Sequence, residues 1–438
     1  MARILWVACA EPGSLYPAVP LALGLVRRGH DLTVLCEPGS RETFASLGLA
    51  FEPARELSSV EPPERGGGRA AKLAWHARYV RALYADTSRA LAAGAFDAVM
   101  VDPLEPGADF AAEAAGVPSF SYVHWRMKET GADVPFCFHY WDRTRPAEEA
   151  FVEWWNEQRA LVGLGPEPRP PQEHRWYRHS RLLTLILGLP ELVDPKGDLP
   201  PYAVRVGPTV WEPPLDEPPP EWVGGLGDER PAVLGSVSTV GAGDAQLAAA
   251  LVEAVAGEDI DVVLTGAATA TIPPLPENVR LVPFVPHGTV LPRVAAVVSH
   301  GGNGTVTRAA CAGVPLLLLP QGKDQFEVAR GAAAAGIAIA LDRREAESRR
   351  VRTALRSLLY EPDFRTRARD LAQQATRYDA AAATAAAVEG LLGSAGGGGA
   401  PRQPPADAAE PSRRASRSGP ISSSANSGWR SWARGLTR

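Results

Sequence analysis

The stretch Val297-Val298-Ser299-His300-Gly301-Gly302-Asn303-Gly304-Thr305-Val306-Thr307-Arg308 is the one on which the fold turns. A short apolar run ending in Ser-His reads as a buried strand, the glycines as a turn, and the residues from Thr305 onward as a helix. Glycines in such a turn let backbone N–H groups approach an anion, and the helix N-terminus adds partial positive charge. His300 brings a further donor, so strand, turn and helix together suit a phosphate. Tight packing of a helix on a strand gives the same composition, and the segment alone leaves both readings open.

Working outward, the same alternation recurs on both sides. Apolar runs at 232–237, 260–264, 279–284 and 315–319 read as strands, with helical periodicity at 245–256 and 325–335 and again over 363–389. The first half is patterned likewise, with strands at 4–10, 31–36, 49–51, 96–101 and 118–123 and helices at 17–28, 39–47, 70–93 and 107–115. Strands alternating with helices predict the α/β class, as parallel sheets covered on both faces. Proline density in WEPPLDEPPPEW breaks every periodicity, which predicts two domains, 1–208 and 231–392, joined by a semi-rigid linker at 209–230. Two such halves leave a cleft, and ligands of these sheets bind at the carboxyl ends of the strands. From 393 to 438 the sequence is low-complexity and rich in Gly, Ser and Arg, a composition expected of a disordered tail. The last helix before it is expected to be free to pack back on the first domain.

The 438 residues carry a net charge of −5, but the tail holds seven arginines against Asp407 and Glu410, so the body is more acidic than the total. That balance argues against a nucleic-acid or anionic-membrane binder. No run of 18 apolar residues predicts a membrane span. Cys9, Cys36, Cys137 and Cys311 lie far apart with no C-x-x-C spacing, which suits neither a zinc site nor a disulfide framework and fits a reducing cytoplasm.

Around the glycine turn stand Phe284-Val-Pro-His287 upstream and Ala312-Gly-Val-Pro315, Pro320 and Asp324-Gln325 downstream. This order resembles the nucleotide-sugar-binding signature of the family 1 glycosyltransferases of GT-B fold, in particular the bacterial branch that decorates antibiotics and other natural products. The likeness extends to Gly13-Ser-Leu-Tyr-Pro17, Asp102-Pro103, Val206-Gly-Pro208, Ser236 to Thr239, and Gly266, and covers residues 1 to 392. It implies two Rossmann-like, doubly wound sheets facing a cleft, the first binding an acceptor and the second a nucleotide-sugar. Carried over, it implies that His300, Gly301, Gly302, Asn303, Gly304 and Thr305 hold the donor diphosphate, with Thr239 and Gly266 beside them. Phe284 then stacks on the base with Val285 at its edge, and Asp324 and Gln325 bind the sugar hydroxyls. A carboxylate and an amide suit a diol because together they donate and accept.

Two departures from the family pattern matter. Arg308 stands where UDP-sugar enzymes of plants have a glutamate on the ribose; an arginine cannot accept a hydrogen bond, which favours a dTDP-deoxysugar. The residue that matches the family's catalytic histidine is Ser14, while Asp102 matches the aspartate that orients that histidine. Three explanations stay open: Asp102 or another residue, with His124, Asp133 and His139 as candidates, acts as base; the acceptor is acidic enough to need little help; or the chain is inactive or needs a helper.

The expectation is therefore an inverting transfer of a (deoxy)sugar to a small hydrophobic acceptor such as a polyketide aglycone, with no cofactor or metal and with an aromatic acceptor wall at 124–155 that includes Trp125, Trp154 and Trp155. The alternative, resting on Ser14, is a non-catalytic nucleotide-sugar-binding or auxiliary protein. Neither reading involves nucleic acid or a membrane span, and both admit a homodimer.

Overall fold

The computed structural model describes residues 1–63, 68–102, 104–124, 147–167, 180, 182–193, 199, 201–213, 218–237, 243–266, 272–322, 324–342 and 346–395. In the first half, β1 (Arg3–Val7), α1 (Pro12–Arg27), β2 (Asp31–Cys36), α2 (Arg41–Ser46), β3 (Ala50–Pro53), α3 (Arg69–Ala93), β4 (Ala98–Val101), α4 (Pro106–Ala115) and β5 (Ser119–Val123) alternate as the pattern requires. After α5 (Ala147–Leu161) come β6 (Thr184–Leu187), α6 (Pro190–Val193) and β7 (Ala203–Gly207). The second half runs β8 (Ala232–Ser236), α7 (Gly243–Val255), β9 (Asp261–Thr265), β10 (Val279–Val282), α8 (His287–Val290), β11 (Ala296–Ser299), α9 (Asn303–Ala312), β12 (Leu316–Leu318), α10 (Gln325–Ala334) and β13 (Ala338–Ala340), closing with α11 (Ser348–Tyr360), α12 (Pro362–Ala375) and α13 (Ala380–Ala395).

Among the described residues these strands make two parallel sheets, ordered β3-β2-β1-β4-β5-β6-β7 and β10-β9-β8-β11-β12-β13. Each order reverses direction once, between β1 and β4 and between β8 and β11, and at such a point the loops leaving the two strands diverge and open a crevice. Register fixes what meets there. Val7 lies beside Val101, so the segment entering α1 faces Asp102; Ser299 lies beside Ser236, so His300 faces Val237. The strands are apolar on both faces because helices cover both.

Several elements differ from the sequence pattern, for identifiable reasons. Helix α1 starts at Pro12, not Pro17, and carries Pro17 and Pro20 inside it. Burial of Leu15, Ala18, Val19, Leu21, Ala22 and Leu25 on its core face offsets the backbone bonds those prolines forgo. The helical stretch 363–389 is two helices, broken where Tyr378 packs on Gly207 and where Asp379 accepts the Ala382 N–H at 2.9 Å. Helix α13 then runs to Ala395, past the expected start of the tail, because Ala385, Val388 and Leu391 bury against the first domain. Strands β6, β7 and β13 escape the pattern, being only 4, 5 and 3 residues long. Trp154 and Trp155 are core residues instead of cleft wall, Trp155 meeting Phe110 edge-on at 4.8 Å and donating to Glu167 at 2.8 Å.

Helix α13 therefore crosses back and locks onto α1. Arg28 makes a two-point ion pair with Glu389, at 3.1 and 2.9 Å, and Gly24 lets the helices touch, since a Cβ there would lie 2.8 Å from the Ala381 backbone. Gly24→Ala is predicted to push the helices apart and destabilise the fold by about 1–3 kcal/mol. Thermal melting reads this directly, and an unchanged Tm would mean that α13 does not need this contact.

Candidate functional site

Both crevices open at the carboxyl edges of their sheets, and each brings together polar side chains that are distant in sequence. In the first, Ser14 is buried within the first turn of α1, not in a turn before it, and its N–H bonds the Glu11 carbonyl at 2.9 Å. Asp102 is fully buried at the end of β4. Its Oδ2 accepts from the Tyr122 hydroxyl at 2.8 Å and its Oδ1 from the Leu104 N–H at 2.9 Å. Beside it, Glu105 is also buried, with Oε1 accepting from the Tyr79 hydroxyl at 2.8 Å. Burial, then the charge of Asp102, pushes the Glu105 carboxyl up to about 8. Burial also raises the neighbouring Cys9 thiol well above its usual value. Sequence reading missed Glu105; two carboxylates three residues apart after a buried strand were the available sign, but not that α3 would cover them.

His124 leaves the end of β5 and is buried, and that burial lowers its imidazole to about 4, so the ring is neutral near neutral pH. Its backbone carbonyl accepts from the Asn303 side-chain amide, tying the first sheet to the first turn of α9. The other candidates named from sequence for that side, Trp125, Asp133 and His139, lie outside the described residues, as does Thr239.

In the second crevice the glycine turn has a strict geometry. Gly301 adopts left-handed backbone at φ +86°, and a Cβ there would stand 3.4 Å from the Gln325 carbonyl. A Cβ on Gly302 would stand 2.8 Å from His300 Nε2, so the imidazole lies across that glycine. Gly302 is the N-cap of α9, and Asn303, Gly304 and Thr305 form its first turn. Gly266, at φ +82°, closes the end of β9 against Val237, whose carbonyl would be 2.2 Å from an added Cβ. Asp324 caps α10, whose first residue is Gln325. The Gln325 Oε1 accepts from the Gln321 and Gly322 N–H groups at 2.8 and 3.1 Å, which commits the amide oxygen to its own loop and leaves the Nε2 end as a donor. Phe284 is 65% exposed with its ring in solvent, while Val285 is buried in the core shared by the two halves.

Arg308 is engaged by the linker. It pairs with Glu212 at 3.4 Å, donates from Nη2 to the Trp211 carbonyl at 2.8 Å, and stands 6.0 Å from the Tyr16 ring of α1. Glu212 also accepts the His287 and Gly288 N–H groups at 3.0 and 2.7 Å. Burial lowers the His287 imidazole below its usual value, so it adds no cation to this cluster at neutral pH. Glu212 could not be singled out from sequence, since its partners lie 75 residues or more away, whereas His287 stands in the quoted motif without a sign of its partner.

Residues 249–389 match the family described as Erythromycin biosynthesis protein CIII-like, C-terminal domain. The chain is 30% identical over 421 residues to 4'-demethylrebeccamycin synthase of Lentzea aerocolonigenes, covering 89% of this chain and 100% of that protein. It is similar to the solved structure of the glycotransferase of kitacinnamycin, with TM-score 0.71 and 22% identity over 89% of this chain and 99% of that one. It also resembles the glycosyltransferase VinC, solved in complex with dTDP, with TM-score 0.65 and 24% identity over 89% and 99% of the two chains. Among the described residues no helix is long and apolar enough to cross a membrane.

The raised Glu105 carboxyl makes a stability prediction. Its ordinary value of 4.5 becomes about 8 in the fold, so across that window the unfolded chain gives up a proton that the folded chain keeps. Stability from this group is therefore full below pH 4.5 and is lost as pH rises through about 8. Glu105→Gln keeps an acceptor for Tyr79 and removes the ionisation. It is predicted to melt higher than wild type at pH 8.5, by about 3 °C or more, with the gap closing towards pH 4.5. Parallel curves of Tm against pH would contradict this.

Proposed function

This chain belongs to the bacterial natural-product glycosyltransferases of family 1, and on that premise we propose that it transfers a deoxysugar from a dTDP donor, with inversion at the anomeric carbon, to a small hydrophobic acceptor such as a polyketide aglycone. It is thus a glycosyltransferase enzyme and not the non-catalytic binding protein that Ser14 left open. The observation that carries the reading is the Asn303–His124 contact, which brings the strand end of the first sheet against the glycine turn of the second.

In this reading the donor diphosphate lies on the N-terminus of α9, against the N–H groups from Gly302 to Thr305 and the His300 ring. The base stacks on the exposed Phe284, and the sugar hydroxyls meet Asp324 and the Gln325 amide. As the bond from the anomeric carbon to the phosphate oxygen breaks, negative charge grows on the diphosphate. The helix N-terminus and His300 stabilise that charge without a metal. The preference for a thymidine donor has two supports. Arg308 has no acceptor atom for a ribose 2′-hydroxyl, and the neighbouring Glu212 carboxylate is already occupied by two backbone N–H groups and Arg308. The dTDP bound to VinC is consistent with it.

The acceptor hydroxyl attacks from the face opposite the diphosphate; its oxygen bonds to the anomeric carbon and its proton passes to a base. His124 is the base this geometry favours. Its backbone sits where the two halves meet, and burial keeps its ring neutral at working pH, able to accept a proton although a weaker acceptor than an ordinary imidazole. Asp102, whose Oδ2 accepts from Tyr122 and whose Oδ1 accepts from the Leu104 N–H, serves in this reading to fix Tyr122 and the strand end. Ser14 lines the first turn of α1 without a basic role.

Incubation with a dTDP-deoxysugar and an aromatic acceptor, with product configuration read by proton NMR couplings, tests the reaction; a product that retains the donor's anomeric configuration would overturn inversion. His124→Ala is expected to lower kcat by about 100-fold or more while donor affinity persists. With an acceptor that does not itself titrate, kcat/KM is expected to stay flat from pH 5.5 to 8, because the lowered imidazole is already deprotonated there. A rise through the ordinary imidazole value near 6.5 would rule His124 out as the base with that lowered value.

A further inference from the structure

The linker is more than a tether between the two halves. Trp211 and Glu212 are placed among Tyr16 on α1, Arg308 on α9, and the first residues of α8, so one short segment touches both domains. The Tyr16 and Trp211 rings meet edge-on at 5.2 Å, and the Arg308 and Glu212 side chains are only 13% and 18% exposed.

Two features of this cluster face the donor crevice. Arg308 lies four residues after Gly304, and a helical side chain leans back towards the helix N-terminus. A Cβ on Gly304 would stand 3.2 Å from Arg308 Nη1, so the guanidinium lies along the first turn of α9. A cation at the positive end of a helix is unfavourable unless an anion stands nearby. Glu212 is that anion in the free protein; it meets the guanidinium at its Nε, 3.4 Å away, while Nη1 stands at Gly304. The second feature is the pair of backbone N–H groups that Glu212 accepts, His287 at 3.0 Å and Gly288 at 2.7 Å. These follow directly on Phe284 and Val285, so the carboxylate fixes the segment that carries the exposed aromatic ring.

We propose that Glu212 is a positioning residue for the nucleotide donor: from the linker it holds the 284–288 segment by its backbone and holds Arg308 so that Nη1 reaches the bound nucleoside diphosphate beside Gly304. This rests on the donor reading given above, which places a diphosphate on the first turn of α9. It adds that donor affinity depends on the linker, through a carboxylate that never touches the donor. The ion pair and the two N–H bonds work as one unit, so single changes are expected to be non-additive.

Titration of dTDP into the purified full chain, with initial-rate kinetics alongside, tests the proposal. Glu212→Gln keeps the shape, removes the charge and replaces one acceptor by a donor. It is expected to weaken dTDP binding and raise the donor KM by about tenfold with acceptor KM unchanged, and to lower Tm because the Arg308 cation is left unpaired. Glu212→Asp, which keeps the charge, is expected to recover part of that loss. Arg308→Gln is expected to weaken dTDP to a similar degree, and the double variant Glu212→Gln/Arg308→Gln to be little worse than either alone. Wild-type dTDP affinity in both Glu212→Gln and Arg308→Gln would overturn the proposal. So would a parallel loss of donor affinity, acceptor affinity and Tm in Glu212→Gln without recovery in Glu212→Asp, since that pattern marks a role in holding the domains together only. His300→Ala separates the two readings: if it binds dTDP as wild type does, the donor reading itself has failed, whereas loss in His300→Ala with no loss in the linker variants sinks only the role of Glu212 and Arg308.

Discussion

Between the end of β11 and the start of α9 the chain must reverse within three residues, and two of them disfavour a side chain. Gly301 needs left-handed backbone and backs onto the Gln325 carbonyl, while Gly302 lies beneath the His300 ring. That constraint aims the N-terminus of α9 into the crevice where the second sheet reverses its strand order. It also sets Asn303 where its amide reaches the His124 carbonyl, so the turn that organises one domain is also the point at which it meets the other. A larger residue at either glycine would therefore disturb the N-terminus of α9 and the interdomain contact together.

Among the described residues, connections of different character hold the halves in register beside the Asn303–His124 contact. A single apolar cluster runs from Val123, Ile186 and Leu192 in the first half to Val285, Val306 and Val328 in the second. Helix α13 returns the end of the described chain to α1, where Gly24 permits close approach. The linker adds the Glu212–Arg308 pair, which is largely removed from water. A buried ion pair contributes little net stability once desolvation is counted, but leaving either charge alone would be costly. Its value here lies in geometry, because the same carboxylate orders two segments at the second crevice. The apolar contacts supply the attraction between the halves, and the polar ones decide where each loop stands.

Much of this was legible in the sequence because parallel sheets demand continuous apolar strands separated by amphipathic helices, a pattern that survives in a single chain. The glycine turn was legible for the same kind of reason: His300, Gly301 and Gly302 must stand in that order for local geometry alone. Less readable were elements decided by distant partners. The prolines of α1 suggested a later helix start, and only the burial of its core face overrides them. Trp154 and Trp155 looked like cleft residues because aromatic density does not say which side is covered; Phe110 and Glu167 decide it for Trp155, and His76 meets Trp154 edge-on. Arg308 was read by what it cannot accept, whereas its place is set by Glu212 and Trp211, 96 and 97 residues earlier. Glu105 went unnoticed because its unusual acidity is created by burial, and burial belongs to the fold.

The central claim is that the His300 turn and the N-terminus of α9 form a diphosphate site suited to a thymidine nucleotide. Isothermal titration of dTDP and of UDP into the wild-type chain and into His300→Ala tests it most directly. dTDP is predicted to bind the wild type more tightly than UDP, and His300→Ala to lose about tenfold or more of that affinity. Equal binding of dTDP by the two proteins, or binding of neither nucleotide by the wild type, would contradict it.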